Sequence, residues 1–80
     1  MNRKINREQA VDIAMNRARS DEHGNFKTPF IDKVTHLKNG NWLVKLTSFE
    51  ADRGNLGAMY MNVLINRTGK ILKVDIGGGS

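Results

Sequence analysis

Apolar residues recur along the first part of the chain at the spacing of a helix that buries one face. After Asn6, alanines and larger apolar residues occur three or four positions apart, while Asp12 and Asn16 fall on the opposite side. Asn6 is a typical N-terminal cap, and Gln9 stands three residues later, where it completes a capping box. The pattern predicts an amphipathic helix of about four to five turns, with Gly24 as its stop.

Four later segments alternate apolar and polar residues with the period of a β-strand. The predicted strands cover residues 30–38, 41–49, 58–65 and 70–76. Two of their connections contain asparagine and glycine and are short enough for hairpins, which makes the joined strands antiparallel. The third connection, residues 50–57, is polar and longer, and is predicted to be an exposed loop.

The first hairpin turn fixes how the strands pair. Asn39-Gly40 predicts a two-residue type I′ turn, because both residue types accept positive φ. The pairs that follow are Lys38–Asn41, Leu37–Trp42, Thr35–Val44 and Lys33–Leu46. In the second turn, Asn66 suits the first position and Gly69 the left-handed closing position.

This register divides the sheet into a face covered by the helix and an outer face. The covered face is predicted to hold Ile31, Leu37, Trp42, Val44, Leu46, Met61, Val63 and Val74. The outer face is predicted to hold His36, Leu43, Lys45, Thr47, Phe49, Tyr60, Asn62, Leu64, Ile71 and Lys73. Leu72 and Ile76 are expected on the side of Val74. The predicted fold class is α+β, with one N-terminal helix packed on a four-stranded antiparallel meander sheet.

Residues 1–76 are predicted to form this one domain, and residues 77–80, three glycines and a serine, a flexible tail. The chain has no cysteine, which excludes disulfides and thiolate metal sites. No apolar run approaches the roughly 18 residues that a membrane span needs.

Catalytic chemistry has no support in the sequence. The two histidines, His23 and His36, lack further ligands at the spacing of a metal site. The acidic residues lie in polar surroundings, and the serines and threonines have no adjacent base. We therefore expect no enzyme, no cofactor and no metal.

The outer face is more apolar than a fully solvated face requires, and it also carries lysines. The predicted partner-binding residues, on this face and in the loop after it, are Leu43, Lys45, Phe49, Glu50, Asp52, Arg53, Tyr60, Leu64 and Lys73. The formal net charge of +5 favours an acidic protein partner or a nucleic acid. A homodimer, or cover by the N-terminal lead-in or the loop, is a further alternative for this face.

Three stretches of the chain resemble PepSY-like domains. Residues 5–14, I-N-R-E-Q-A-V-D-I-A, resemble their opening helix; residues 39–46, N-G-N-W-L-V-K-L, their first hairpin; and residues 63–72, V-L-I-N-R-T-G-K-I-L, their closing hairpin. The resemblance covers about residues 5–74, and small immunity-type proteins share a similar ending.

PepSY-like domains occur in propeptides of secreted metallopeptidases and in cell-envelope proteins, and they act as peptidase inhibitors or ligand-binding modules. The resemblance thus implies a non-catalytic protein-binding module, an inhibitor of a partner such as a peptidase or a toxin. The alternative is a basic nucleic-acid-binding domain. We expect a cytoplasmic protein if Met1 is the native start, since the opening lacks the apolar core of a signal peptide. An excised PepSY domain would instead belong to the cell envelope or be secreted.

Overall fold

One helix and four strands make up the described part of the chain, residues 4–20, 28–49 and 58–78 of a computed structural model. The elements are α1 (Arg7–Arg19), β1 (Phe30–His36), β2 (Trp42–Phe49), β3 (Ala58–Ile65) and β4 (Ile71–Gly78). The strands form one antiparallel sheet in the order β1-β2-β3-β4. Helix α1 lies on one face of this sheet, chiefly against β2 and also against β1 and β3. The predicted helix on a four-stranded meander is therefore confirmed.

The start of α1 is the predicted capping box. The backbone N–H of Gln9 donates to Oδ1 of Asn6 at 2.8 Å, and the Asn6 N–H donates to Oε1 of Gln9 at 2.9 Å. Glu8 lies in the first turn, where its charge suits the positive end of the helix dipole. Two backbone donors that no helix can satisfy internally are thus paired locally.

The helix ends earlier than predicted. Its last residue is Arg19, and Ser20 is the C-terminal cap, with its hydroxyl donating to the carbonyl of Arg17 at 3.0 Å. A serine side chain that donates a hydrogen bond to a backbone carbonyl competes with the hydrogen bonds that would extend the helix. This competition accounts for the shorter helix. The predicted stop, Gly24, lies outside the described residues.

The β1–β2 turn has three residues, so the predicted two-residue type I′ turn is wrong. Leu37 N–H donates to the Asn41 carbonyl at 2.8 Å, and Gly40 N–H donates to the Leu37 carbonyl at 3.0 Å. Gly40 has φ +91°, but no described non-glycine residue has positive φ, as a type I′ turn would require of Asn39. Oδ1 of Asn39 instead accepts from the Asn41 N–H at 3.0 Å, which holds Asn39 in an ordinary conformation.

A turn one residue longer shifts β1 against β2 and exchanges the faces of β1. The observed pairs are Phe30–Thr47, Ile31–Leu46, Lys33–Lys45, Val34–Val44, Thr35–Leu43 and His36–Trp42. His36 therefore lies on the Trp42 side and not on the outer face, while Leu37 lies beyond the strand and outside the core. Ile31 keeps its predicted side only because a bulge at Asp32 shifts the register back.

The β3–β4 turn follows the prediction for Asn66 and Gly69. Gly69 N–H donates to the Asn66 carbonyl at 3.0 Å, and Gly69 has φ +102°. Oδ1 of Asn66 accepts from the N–H groups of Thr68 and Lys70, both at 2.9 Å. One asparagine side chain thus holds the whole turn, and a left-handed glycine closes it.

A second bulge follows this turn and corrects two predictions. Ile65 pairs with Ile71, but Leu64 pairs with Lys73, so Leu72 is left without a cross-strand partner. Ile71 consequently packs against the core and not on the outer face. Leu72 does not join Val74 in the core and is 49% exposed. Strand β4 also runs on to Gly78, two residues into the predicted glycine tail.

The core consists of cross-strand rows beneath an alanine face of α1. The rows are Ile31–Leu46–Met61–Ile76, Val34–Val44–Val63–Val74 and His36–Trp42–Ile65–Ile71. Ala10, Ala14 and Ala18 are at most 1% exposed, so the small side chains bring the helix backbone close to the sheet. The helix does not extend over β4, and Ile76 remains 44% exposed.

We expect Ala14→Leu to destabilise the fold, because the added atoms have no space between α1 and β2. Overpacking of this kind costs about 1–3 kcal/mol, and each kcal/mol lowers the melting temperature of a domain this size by roughly 4–8 °C. Thermal unfolding followed by circular dichroism measures the change. Asn16→Leu places the same side chain on the exposed side of the helix and should stay within about 0.5 kcal/mol of the parent. Equal melting temperatures for the two variants would contradict the close helix–sheet contact.

Replacement of the two turn glycines by alanine should destabilise the fold to different extents. Positive φ alone costs a side chain about 1–2 kcal/mol. A Cβ at Gly69 would also lie 3.3 Å from Cγ2 of Ile5 and 3.4 Å from Cδ1 of Ile13. At Gly40 the nearest atoms belong to the flexible side chain of Arg67, at 3.4 and 3.5 Å.

In denaturant titration, Gly69→Ala should therefore have a lower free energy of unfolding than Gly40→Ala, and both variants should be less stable than the parent. Gly77→Ala is the matched control, because Gly77 has no positive φ and no atom within 4 Å of its added Cβ. The control should leave stability unchanged or raise it by about 0.4–1 kcal/mol. If Gly77→Ala lost as much stability as Gly69→Ala, the proposed need for glycine in the two turns would be wrong.

Candidate functional site

The outer face of the sheet is the candidate site, because no described element lies over it. Three cross-strand rows make up this face: Phe30–Thr47–Tyr60–Gly77, Lys33–Lys45–Asn62–Asp75 and Thr35–Leu43–Leu64–Lys73. The helix packs on the opposite face, where the core lies. The outer face is thus a rigid, regular surface whose side chains are placed by the ladder of four strands.

Apolar and aromatic side chains occupy the two flanking rows. Leu43 and Leu64 pair directly across β2 and β3, and both are half-buried. Phe30 and Tyr60 flank Thr47, which is only 8% exposed although it lies on a face without a covering element. The flanking aromatic rings therefore already shield part of this surface from water.

Charged side chains occupy the middle row. Lys33 lies directly opposite Lys45, a like-charge pair that is unfavourable on its own. The bulge at Asp32 places its carboxylate 3.6 Å from Lys45 Nζ, which offsets that repulsion. Lys45 Nζ also lies 5.1 Å from the centre of the Tyr60 ring, at cation–π distance.

A second ion pair lies on β4, between Lys73 Nζ and Asp75 Oδ2 at 3.7 Å. The side chains of both ion pairs are between 42% and 66% exposed. Exposed pairs of this kind contribute at most about 1 kcal/mol to stability. The charges are thus available to exchange partners with another molecule.

Five of the predicted partner-binding residues come together here: Leu43, Lys45, Tyr60, Leu64 and Lys73. Phe49 belongs to β2 and pairs with Ala58, but its side chain lies outside the described residues. The loop residues Glu50, Asp52 and Arg53 also lie outside them. For all nine residues, partner binding stays a prediction.

The sequence-based list missed Phe30, Lys33 and Asp75. Lys33 reaches the outer face through the shifted register of β1, which the Asn39-Gly40 pattern does not specify. Phe30 lies on the outer face by alternation with Ile31 and was available from the sequence. Asp75 follows from simple alternation with Lys73 and was available from the sequence. The predicted outer-face residues Thr47 and Asn62 do lie on this face.

Other chemistry is not assembled in the part of the chain that the structure covers. No three described His, Asp or Glu side chains are grouped so that they could hold a metal ion. His36, the one histidine among the described residues, stacks on Trp42 with ring centres 4.0 Å apart and planes 4° from parallel. Within the same residues, no helix has the length and apolarity to cross a membrane.

Comparison with known proteins gives no relative from which a function could be transferred. No family model matches the chain, and neither a curated protein nor a solved structure matches it. The likeness to PepSY-like domains and to small immunity-type proteins stays a prediction. Function has to be argued from the outer face itself.

Proposed function

We propose that this chain is a non-catalytic protein-binding module of PepSY-like type, and that it inhibits its partner, such as a peptidase or a toxin. The proposed contact surface is the outer face of the sheet. The observation that carries the proposal is that one face of the sheet is covered by α1 while the other presents apolar rows beside a charged row.

The chemistry of the outer face matches that of protein interfaces. Such interfaces combine apolar and aromatic contact area with charges that select the partner. Here the Leu43–Leu64 pair and Tyr60 supply the contact area, and the lysines and aspartates beside them supply the charge pattern. A β-sheet surface of this kind loses little conformational freedom when it docks, which favours affinity.

Charge indicates a partner with acidic character. The described outer face carries three lysines, Lys33, Lys45 and Lys73, against two aspartates, Asp32 and Asp75. The whole chain has a formal net charge of +5, which attracts acidic surfaces over long range. A second copy of this chain would bring the same excess of lysine, so self-association through this face is less favoured.

A nucleic acid is the alternative partner, because Tyr60 beneath Lys45 could stack a base. The carboxylates of Asp32 and Asp75 lie within 4 Å of two of the three lysines and would repel phosphates. An acidic protein that also offers donors to these aspartates fits the pattern better.

The double variant Tyr60→Ser/Leu64→Ser tests the proposal. Immobilised parent and variant chains serve as paired baits in the same extract, and each retained protein is assayed for hydrolytic activity with and without the parent chain. Loss of a central aromatic anchor costs about 2 kcal/mol or more, which is roughly a thirtyfold loss of affinity. We expect one retained protein whose hydrolytic activity is lowered by the parent chain. The immobilised double variant should fail to retain that protein.

Ile76→Ser is the matched control, since Ile76 is exposed but pairs with Met61 on the helix side. It should retain and inhibit the same protein as the parent. If both variants bind alike, or no retained protein is slowed, the proposed inhibitory surface is wrong. The nucleic-acid alternative would be correct if the parent chain retained single-stranded RNA, if this retention fell steeply with salt, and if the double variant did not retain the RNA.

A further inference from the structure

A second concave surface lies at the end of the sheet where both tight turns meet. It forms a cavity of about 370 Å³ that is open to solvent on one side. Its lining residues are Lys4, Ile5, His36, Leu37, Lys38, Asn39, Gly40 and Arg67. The volume falls within the range of about 300–1,000 Å³ that is typical of small-molecule sites.

Backbone contacts hold the three segments of this cavity together. Ile5 N–H donates to the carbonyl of Arg67 at 2.8 Å, which ties the lead-in to the β3–β4 turn. A Cβ at Gly40 would lie 3.4 Å from Cβ of Arg67, so the two turns are in contact. The cavity is thus formed by the fold itself and does not depend on a ligand to assemble it.

The charges in this cavity are all of one sign. Lys4, Lys38 and Arg67 line it, and no carboxylate does among the residues that the structure describes. None of these three side chains pairs with a carboxylate anywhere in the described residues, whereas Lys45 and Lys73 on the outer face each have an aspartate. Three cations around one concavity produce a local positive potential that attracts anions.

We propose that this cavity binds a small soluble phosphate monoester. Arg67 offers a planar fork of donors that matches phosphate oxygens, and the two lysines add mobile point charges. A monoester carries about −1.5 to −2 charge at neutral pH, which suits a site with three basic residues better than a singly charged anion does.

The remaining lining residues favour an organic ester over inorganic phosphate. Ile5 and Leu37 provide apolar wall, and the His36 ring is held in place by its stack on Trp42. Imidazole presents both a flat surface and a polar nitrogen to a ligand. The site lies apart from the outer-face rows and is independent of the proposed protein contact.

Phenyl phosphate is the test probe, with phenyl sulfate as the singly charged analogue of the same shape. Titration of the folded chain is followed by two-dimensional amide NMR and by calorimetry. We expect shifts confined to Lys4, Ile5, residues 36–41 and Arg67. Phenyl phosphate should bind at least about tenfold more tightly than phenyl sulfate, because its second negative charge strengthens the attraction to the three basic side chains.

Lys38→Gln/Arg67→Gln should weaken phenyl phosphate binding by about tenfold or more. Lys45→Gln/Lys73→Gln removes the same charge from the outer face and should change the affinity by no more than about twofold. Arg67→Lys keeps the charge but loses the fork, and should be intermediate. Amide spectra of each variant establish that it is folded.

Equal losses in the two double variants would show general charge attraction and overturn the site. So would amide shifts spread over the sheet, or equal affinity for phosphate and sulfate esters. Retention on vesicles of phosphatidic acid without any response to phenyl phosphate would also overturn it, because the phosphate would then be read on a membrane surface. Failure here leaves the outer-face contact untouched, because that contact is measured with a protein partner and with different variants.

Discussion

Two left-handed glycines fix how the two hairpins of the sheet are arranged. Gly40 and Gly69 close three-residue turns with φ of +91° and +102°. Because side chains alternate across a sheet with a period of two, the length of each turn decides which residues of the adjoining strand face the helix. The side chains of β1 and β4 next to these turns take their faces from these two positions, whereas β2 and β3 pair regularly through a different connection.

The same glycines connect the hairpins to the rest of the fold. The bare α-carbon of Gly69 leaves room for Ile5 and Ile13, so the start of α1 packs against the β3–β4 turn. Gly40 leaves room for Arg67, so the two turns touch. The geometry of the turns, the docking of the helix and the cavity at this end of the sheet therefore depend on neighbouring contacts. A side chain at Gly69 would disturb its turn and the docking of the helix, whereas one at Gly40 would disturb its turn and the contact with Arg67.

The features that could be predicted from the sequence are those with a local cause. Asn6 with Gln9, and Asn66 with Gly69, carry their hydrogen-bond partners within four residues, and both were predicted correctly. Asn39-Gly40 favours a two-residue turn, but a glycine also suits the left-handed last position of a three-residue turn, so the pattern did not exclude the observed length. His36 was placed on the wrong face because the β1–β2 turn is one residue longer than predicted. Ile71 was placed on the wrong face because the bulge at Leu72 leaves no periodic trace in the sequence.

The candidate site was partly predictable for the same reason. Leu43, Lys45, Tyr60 and Leu64 lie on β2 and β3, and their mutual register is regular throughout. Alternation from Trp42 therefore places them without reference to either bulge.

The cavity at the turn end could not be predicted, because Lys4, Lys38 and Arg67 belong to three segments that meet only in the folded chain. The two surfaces also differ in charge pairing. The outer face pairs two of its lysines with aspartates, whereas the cations of the cavity pair with no carboxylate of the described segments. Patterned charge on a broad face discriminates among large partners, whereas concentrated charge in a small concavity selects a compact anion, so the two sites do not compete for the same kind of ligand.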